Sequence, residues 1–418
     1  MHITILALGS RGDVQPYANL GDGLQKAGHR VRLVTFGTFT ALAAEYGLDF
    51  HPIQGDARAL VAGAGSDMLA LVRSFGALAE GYARDLSDPR LGETDLILNQ
   101  LPGGLYGYDL AERYRVPLVL GSVIPLARTR AFPLMGFPHS PIRLPGYNRA
   151  TYWIGEQMTW QMFRSVINRW RMETLHLRSL PLGGYFDQLG SQRIPILNGF
   201  SPSVVPPPPD WGEYVHTTGS WFPPEEHWQP PTALQRFLEA GSPPVFIGFG
   251  SMPLKNPRHT TGILLEALAR SGQRGILHTG WGGIGAQALP DRVLKIDSAP
   301  YGWLFPRMAM VIHHGGSGTT AFGLRAGVPC GVVSFLFDQH FWGERISALG
   351  AGPRPIRFSQ LSPAALTKMI LSGVSSGTMR QGAAAVGRRL RAEDGIANAV
   401  RVIDEILKRG PRSESRQE

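Results

Sequence analysis

Cysteine is nearly absent. Cys330 stands alone in 418 residues, which excludes an internal disulfide and agrees with a reducing compartment. No apolar run approaches the roughly 20 residues needed to span a bilayer. Met1 opens directly into a short strand pattern without a basic leader, so a cytoplasmic protein is expected. No Asp-x-Asp triplet occurs, and with it goes the arrangement that would hold a divalent cation against a diphosphate. Acidic residues are outnumbered, 32 against 41 Lys and Arg, and the resulting +9 suits nucleic acid, anionic lipid or an anionic substrate. No nucleic-acid-binding motif accompanies the charge, and nucleic acid is not an expected partner.

What the chain does have is strand and helix in alternation. With 43% hydrophobic residues and this length, it can build two cores. His2 to Leu8 reads as a strand, Gly9 to Pro16 as a turn, Tyr17 to Ala27 as a helix ended by Gly28, and Val31 to Phe36 as a second strand. The alternation continues through Leu48 to Ile53, Asp95 to Asn99 and Val116 to Leu120, which predicts a parallel sheet with ligands at the carboxyl ends of its strands. Pro206 to Pro209 form a stiff extended spacer. Beyond it a second series is expected to begin at Tyr214 to Thr218 and to run through Val245 to Phe249, Gly275 to Thr279, Val293 to Ile296, Val311 to Ile312 and Cys330 to Phe335. The domains are therefore set at 1–205 and 213–390, joined by a linker at 206–212. A helix within 391–410 is expected to pack back on the first domain, and the polar tail 411–418 to be disordered.

One stretch organises the second half. Met308 to Ile312 has the composition of a buried parallel strand, His313 to Thr319 is Gly-rich and hydroxyl-bearing, and Thr320 to Ala326 is a helix stopped by Gly327-Val328-Pro329. A strand, a tight turn and a helix N-terminus aim unpaired N–H groups and the positive end of a helix dipole at one point, which favours phosphate. Asp338 and Gln339 follow the next strand, and a carboxylate beside an amide suits a polyhydroxylated group carried by that phosphate. An N-cap followed by an ordinary helix residue is the plainer account of the pair.

Between 121 and 189 the rhythm breaks. Pro125, Pro133, Pro138, Pro141 and Pro145 precede a helical run from Asn148 to Leu177 that carries Tyr152, Trp153, Met158, Trp160, Met162, Phe163, Trp170 and Met172, interleaved with Arg149, Arg164, Arg169 and Arg171. Two readings stand: helix-packing core, or a pocket or membrane-facing lip for a bulky apolar ligand.

Gly9 to Tyr17 (GSRGDVQPY), Gly28 to Thr35 (GHRVRLVT), Phe246 to Met252 (FIGFGSM), Gly280-Trp281, Trp303 to Pro329 and Asp338 to Gly343 (DQHFWG) occur in that order across both halves. Together they resemble the GT-B UDP-glycosyltransferase family (glycosyltransferase family 1), nearest its sterol 3-beta-glucosyltransferase and glycopeptide-antibiotic branch. The resemblance implies an α/β architecture of two Rossmann-like, doubly wound domains facing an interdomain cleft. The N-terminal domain would hold the acceptor and the C-terminal domain the nucleotide sugar.

It also assigns residues. Ser317, Gly318 and Thr319, following Gly316, match the diphosphate cradle. His313 and His314 are both candidates for a phosphate contact. Asp338 and Gln339 match the pair that binds sugar hydroxyls. Ser10, Arg11 and Asp13 match the N-terminal loop, with Asp13 as the base of an inverting transfer or as the cap of a helix begun by Pro16. Ser251 would add a hydroxyl to the cradle. Ala299 and Tyr301 would lie along the nucleobase, with Trp281 as an alternative stacking residue. The expected reaction moves a hexose, glucose foremost, from a UDP-sugar co-substrate to a hydroxyl of a bulky apolar acceptor such as a sterol, without a cofactor or metal. A dTDP-sugar donor, a glycopeptide, macrolide or lipid acceptor, a nucleotide-sugar epimerase, a silent binding protein and a peripheral association with membrane remain open alternatives; oligomeric state is not assigned.

Overall fold

The computed structural model describes residues 1–56, 80–101, 106–138, 144–224 and 228–409. Pro141 and the tail 411–418 lie outside them. The chain divides into two compact units, one of Met1–Gly199, Pro207–Pro223 and Asp394–Glu418, the other of Phe200–Pro206 and Pro224–Glu393.

The first unit is built on β1 (His2–Leu6), β2 (Arg30–Phe36), β3 (Asp49–Ile53), β4 (Leu96–Gln100), β5 (Leu118–Ser122), β6 (Ile196–Asn198) and β7 (Val215–Thr217). All pair in parallel, in the order β3-β2-β1-β4-β5-β6-β7. Its helices are α1 (Arg11–Lys26), α2 (Thr40–Glu45), α3 (Tyr106–Tyr114), α4 (Tyr147–Glu173) and α5 (Gly184–Ser191). Alternation along the strands feeds two layers. Ile3, Ile5, Leu96 and Leu98 join a core with Val14, Tyr17, Leu20 and Leu24 of α1, whereas Leu6, Leu8 and Ile97 join one with Trp160, Ile167 and Trp170 of α4.

Two expectations need correction here. Tyr214 to Thr218 does not open the second sheet: Val215–Thr217 pairs with β6 as the seventh strand of the first. The prolines interrupt regular structure, but the chain beyond them still has an open edge to complete. The first helix starts at Arg11, five residues before Pro16, which lies inside it. A Ser10-x-x-Asp13 start signal sets the N-terminus, and Pro16 merely removes one early N–H.

The second unit repeats the plan with α6 (Thr232–Glu239), β8 (Val245–Gly248), α7 (Pro257–Arg270), β9 (Gly275–His278), β10 (Val293–Ile296), α8 (Tyr301–Leu304), β11 (Met310–His313), α9 (Ser317–Ala326), β12 (Cys330–Ser334), α10 (Phe337–Ala348), β13 (Ile356–Arg357), α11 (Pro363–Ser375) and α12 (Gly377–Arg391). Its parallel strands run β10-β9-β8-β11-β12-β13. In each sheet the strand order reverses once near the middle, between β1 and β4 and between β8 and β11, and such switch points are where doubly wound sheets bind ligands.

The chain ends in the first unit with α13 (Gly395–Arg409), which lays Ala399 and Ile403 on the core shared with α1. Contact is close: a Cβ on Gly23 of α1 would lie 2.2 Å from Ile396 Cγ2. Burying Ile403 completely contributes about 1.5–3 kcal/mol.

Candidate functional site

At the first switch point, β1 runs into Gly9 and the N-terminus of α1. Ser10 donates from its backbone N–H and from its hydroxyl to Asp13 Oδ2, each at 2.8 Å. No described group donates to Oδ1. Burial raises the Asp13 carboxyl above its ordinary value, and the two Ser10 hydrogen bonds oppose that rise. Gly9 is a structural requirement: its φ is +140°, and a Cβ there would lie 2.5 Å from Asp13 Oδ2. Tyr17, one turn on, is wholly buried, and its hydroxyl has no partner among the described residues. Arg11 is exposed and donates to Gln15 Oε1 at 3.1 Å. Gln100, at the end of β4, was not singled out from the sequence, yet its buried Oε1 accepts the Leu8 N–H at 2.5 Å and anchors the start of this loop.

In the second unit the register aligns Gly248, His278, His313 and Val332 across four strands. The residues just beyond that row form the second candidate site. The two histidines separate. His313 is wholly buried, and its Nδ1 accepts the Gly315 N–H at 3.0 Å, so this ring braces the turn. The His314 ring is slotted between two glycines. A Cβ on Gly250 would approach its Cε1 to 3.1 Å, and one on Gly316 its Nε2 to 2.4 Å. Gly316 is the N-cap of α9, so His314 Nε2 stands beside that helix's first turn. Burial is the main reason both rings are driven down, to about 3 for His313 and about 4 for His314, and both are neutral at physiological pH.

No side chain caps α9, and none caps α6 or α8, whereas Asn256, Ser362 and Ser376 cap α7, α11 and α12. Ser317, Gly318 and Thr319 form its first turn and are all half-buried, with their N–H groups aimed beyond the sheet. A helix N-terminus of this kind favours anions. Around it, Gly315 (φ +92°) lets Gln339 approach so closely that a Cβ would lie 2.6 Å from the Gln339 carbonyl oxygen. The Trp281 N–H donates to Gly250 O at 2.9 Å. The structure thus gathers Gly250, half-buried Ser251, Trp281, His314 to Thr319 and the start of α10.

Asp338 and Gln339 differ in their commitments. Gln339 is 4% exposed; its Oε1 accepts the N–H groups of Phe335 and Leu336 at 2.7 and 3.1 Å, and its Nε2 lies 3.2 Å from Met252 Sδ. This side chain fastens the β12–α10 turn to the β8 loop. Asp338 is half-buried and accepts from Trp342 Nε1 at 3.2 Å. Tyr301 stacks on Phe305 at 4.4 Å with edges against Phe246, His278 and Phe322, so one of its faces is covered. Ala299 precedes it, half-buried, and Trp281 is 41% exposed. Met252 and Gly250 were given no role of their own because their parts depend on contacts across the sheet; the motif FIGFGSM at Phe246 to Met252 was the available signal.

Both halves of the chain resemble known proteins. The Glycosyltransferase family 28 N-terminal domain matches residues 3–92, and the Erythromycin biosynthesis protein CIII-like C-terminal domain matches residues 265–404. Two sterol 3-beta-glucosyltransferases of Arabidopsis thaliana are 36% and 37% identical over 96% of this chain, which spans 65% and 67% of their lengths. One from Emericella nidulans is 36% identical, but the chain spans only 30% of it. Among solved structures, the glycosyltransferase of kitacinnamycin superposes with a TM-score of 0.75 at 20% identity, over 97% of this chain and 99% of that one. The glycosyltransferase VinC in complex with dTDP gives 0.67 at 18%, over 98% and 100%. These likenesses establish the GT-B fold.

Proposed function

The chain belongs to the GT-B glycosyltransferase family that includes the sterol 3-beta-glucosyltransferases, and from that premise we propose that it transfers glucose from UDP-glucose, with inversion, to a hydroxyl of a bulky apolar acceptor such as a sterol. The uncapped N-terminus of α9, with His314 beside it, is the observation that carries this reading. The second unit holds the nucleotide sugar and the first the acceptor. The N–H groups and hydroxyls of Ser317 and Thr319 meet the diphosphate, joined by Ser251. Neutral His314 donates one N–H to a phosphate oxygen, and Asp338 accepts from a sugar hydroxyl.

Asp13 Oδ1 takes the proton of the acceptor hydroxyl as that oxygen bonds to the anomeric carbon. The bond from that carbon to the phosphate oxygen breaks on the opposite face, and its electron pair leaves with UDP. The helix terminus stabilises the charge on the departing diphosphate. With no Asp-x-Asp in the chain to hold a divalent cation against the diphosphate, this reading expects transfer without one.

The Arabidopsis relatives' names support a sterol acceptor and glucose, while the dTDP in the VinC structure keeps a dTDP-sugar as the second reading of the donor. An acceptor panel with UDP-glucose and dTDP-glucose, with and without chelator, tests all of these assignments. Wild type is expected to glucosylate a sterol from UDP-glucose in excess chelator, with Asp13→Asn reduced about 100-fold or more. Turnover of UDP-glucose without any acceptor would favour an epimerase, and near-normal transfer by Asp13→Asn would remove the base.

A further inference from the structure

Of the motif DQHFWG at Asp338 to Gly343, the proposed reaction uses only the first two residues. Its other end is built as closely. Gly343 lets α10 lie tight on its sheet, since a Cβ there would meet Pro355 Cβ at 2.6 Å and Val332 Cβ at 3.1 Å. Trp342, just before it, is 2% exposed and follows Asp338 by one turn on the same face of α10. Its Nε1 donates to Asp338 Oδ2 at 3.2 Å. An indole N–H is a donor only, so the direction of this bond cannot reverse.

The indole is held from outside α10 as well. Phe200 meets it at an angle of 66° with ring centroids 6.1 Å apart, and Phe341 packs on it at 5.4 Å. Phe200 opens the segment Phe200–Pro206, which belongs to the second unit although the chain on either side of it belongs to the first. Two fastenings keep that segment in place. Val204 O accepts from Arg345 Nε and Nη2 at 2.9 and 2.6 Å, and the hydroxyls of Ser201 and Ser203 both donate to Glu393 Oε1, at 2.7 and 2.8 Å. The ring thus rests on a support that is itself locked.

What the support fixes is a carboxylate. Asp338 lies in the first turn of α10 and is half-buried, where a carboxylate without a fixed donor would turn about its own bonds. With Oδ2 held by a buried donor, the plane of the group is set before any ligand arrives, and binding a hydroxyl does not have to order it.

We propose that Trp342 is a positioning residue for the sugar of the donor, acting through Asp338, with Phe200 as the stop behind its ring. This rests on the reading of the second unit as the nucleotide-sugar site and deepens it. UDP has the base and both phosphates but no sugar, so the part played by Trp342 is read as the ratio of affinities for UDP-glucose and UDP.

The experiment is calorimetry of the full chain with each ligand, without acceptor. Trp342→Phe keeps an aromatic ring against Phe200 and loses the N–H; it is expected to weaken UDP-glucose about 3- to 10-fold while UDP stays within about twofold. Asp338→Ala is expected to weaken UDP-glucose about 10- to 100-fold, and adding Trp342→Phe to it to change nothing further. A Trp342→Phe protein that binds both ligands like wild type, or loses both alike as a packing defect would, overturns the proposal, and so does a double variant in which the two losses multiply. Asp338→Ala with the wild-type ratio would refute the sugar contact itself, a failure distinct from that of Trp342 alone. A second measurement does not depend on the folding of Trp342→Phe. With nitrogen label in the nine tryptophan indoles, one N–H resonance is expected to move on addition of UDP-glucose but not UDP, and to be the one displaced by Asp338→Ala; the absence of any resonance with both behaviours would count against the proposal.

Discussion

Replacing Gly9 by alanine adds one methyl group where the structure has least room for it. At φ +140° the residue lies where only glycine is comfortable, and forcing alanine there costs about 1–3 kcal/mol. The new Cβ would meet Asp13 Oδ2 at 2.5 Å and Asp13 Cβ and Cγ at 2.8 Å, so every close neighbour belongs to one side chain. Relief comes by moving Asp13 out of its hydrogen bonds with Ser10 or by moving the loop, and either displaces the proposed base. General-base catalysis contributes about 100- to 10,000-fold; Gly9→Ala is accordingly expected to lower kcat about 100-fold or more, while calorimetric affinity for UDP stays within about twofold. Gly12→Ala is the matched control. Its Cβ would meet nothing nearer than Ser10 Oγ at 3.7 Å, so activity is retained and the helix gains up to about 1 kcal/mol. A Gly9→Ala enzyme with wild-type kcat would refute the placement of Asp13 at the chemistry.

Asp13 must be ionised to act, and burial raises its carboxyl, so kcat/KM falls as pH drops through a value above the ordinary aspartate range; Ser10→Ala removes an opposing hydrogen bond and is expected to move this acid limb higher still. His313 and His314 bind protons in the unfolded chain near 6.5 but in the folded protein only near 3 and 4, so stability is lost as pH falls below about 6.5, by ~3 kcal/mol for His314 alone once both states have titrated; urea midpoints for His314→Gln that track wild type down to pH 5 would contradict this. Gln339→Leu strands the N–H groups of Phe335 and Leu336 and is expected to cost about 1–3 kcal/mol, whereas Gln339→Glu keeps the acceptor oxygen and most of the stability, as thermal melts would report. Arg171→Met leaves the Asp109 carboxyl buried and unpaired, at a cost of about 3–5 kcal/mol; because burial lifts Asp109 to about 7, its folded form takes up a proton readily, and the penalty in denaturant melts should be smaller at pH 6 than at pH 8.

The alternating α/β plan and the strand–turn–helix junction after Ile312 were readable because both are written locally: Met310 to His313 is an apolar strand, and the Gly-rich run to Thr319 turns at once into a helix. The start of α1 was misread because Pro16 is a strong helix-start signal, yet Ser10 and Asp13 outweigh it through hydrogen bonds that composition does not advertise. β7 was misassigned because a three-residue strand takes its sheet from its neighbour, here β6, and not from its own sequence. The histidines of His313-His314 are identical letters; only the Gly250 and Gly316 surfaces tell them apart. In α4, alternate faces of a single apolar helix go to opposite environments, and no count of Trp and Met could apportion them.

α13 has a consequence for biosynthesis. The helix that packs against Gly23 of α1 follows the entire second unit in the sequence, so the first unit leaves the ribosome before Ala399 and Ile403 can join its core. Early emergence therefore does not confer early completion. Nascent chains arrested before Gly395 should be recognised by holdase chaperones through the core surface that Ala399 and Ile403 would cover, and adding the missing segment as a separate peptide should release them.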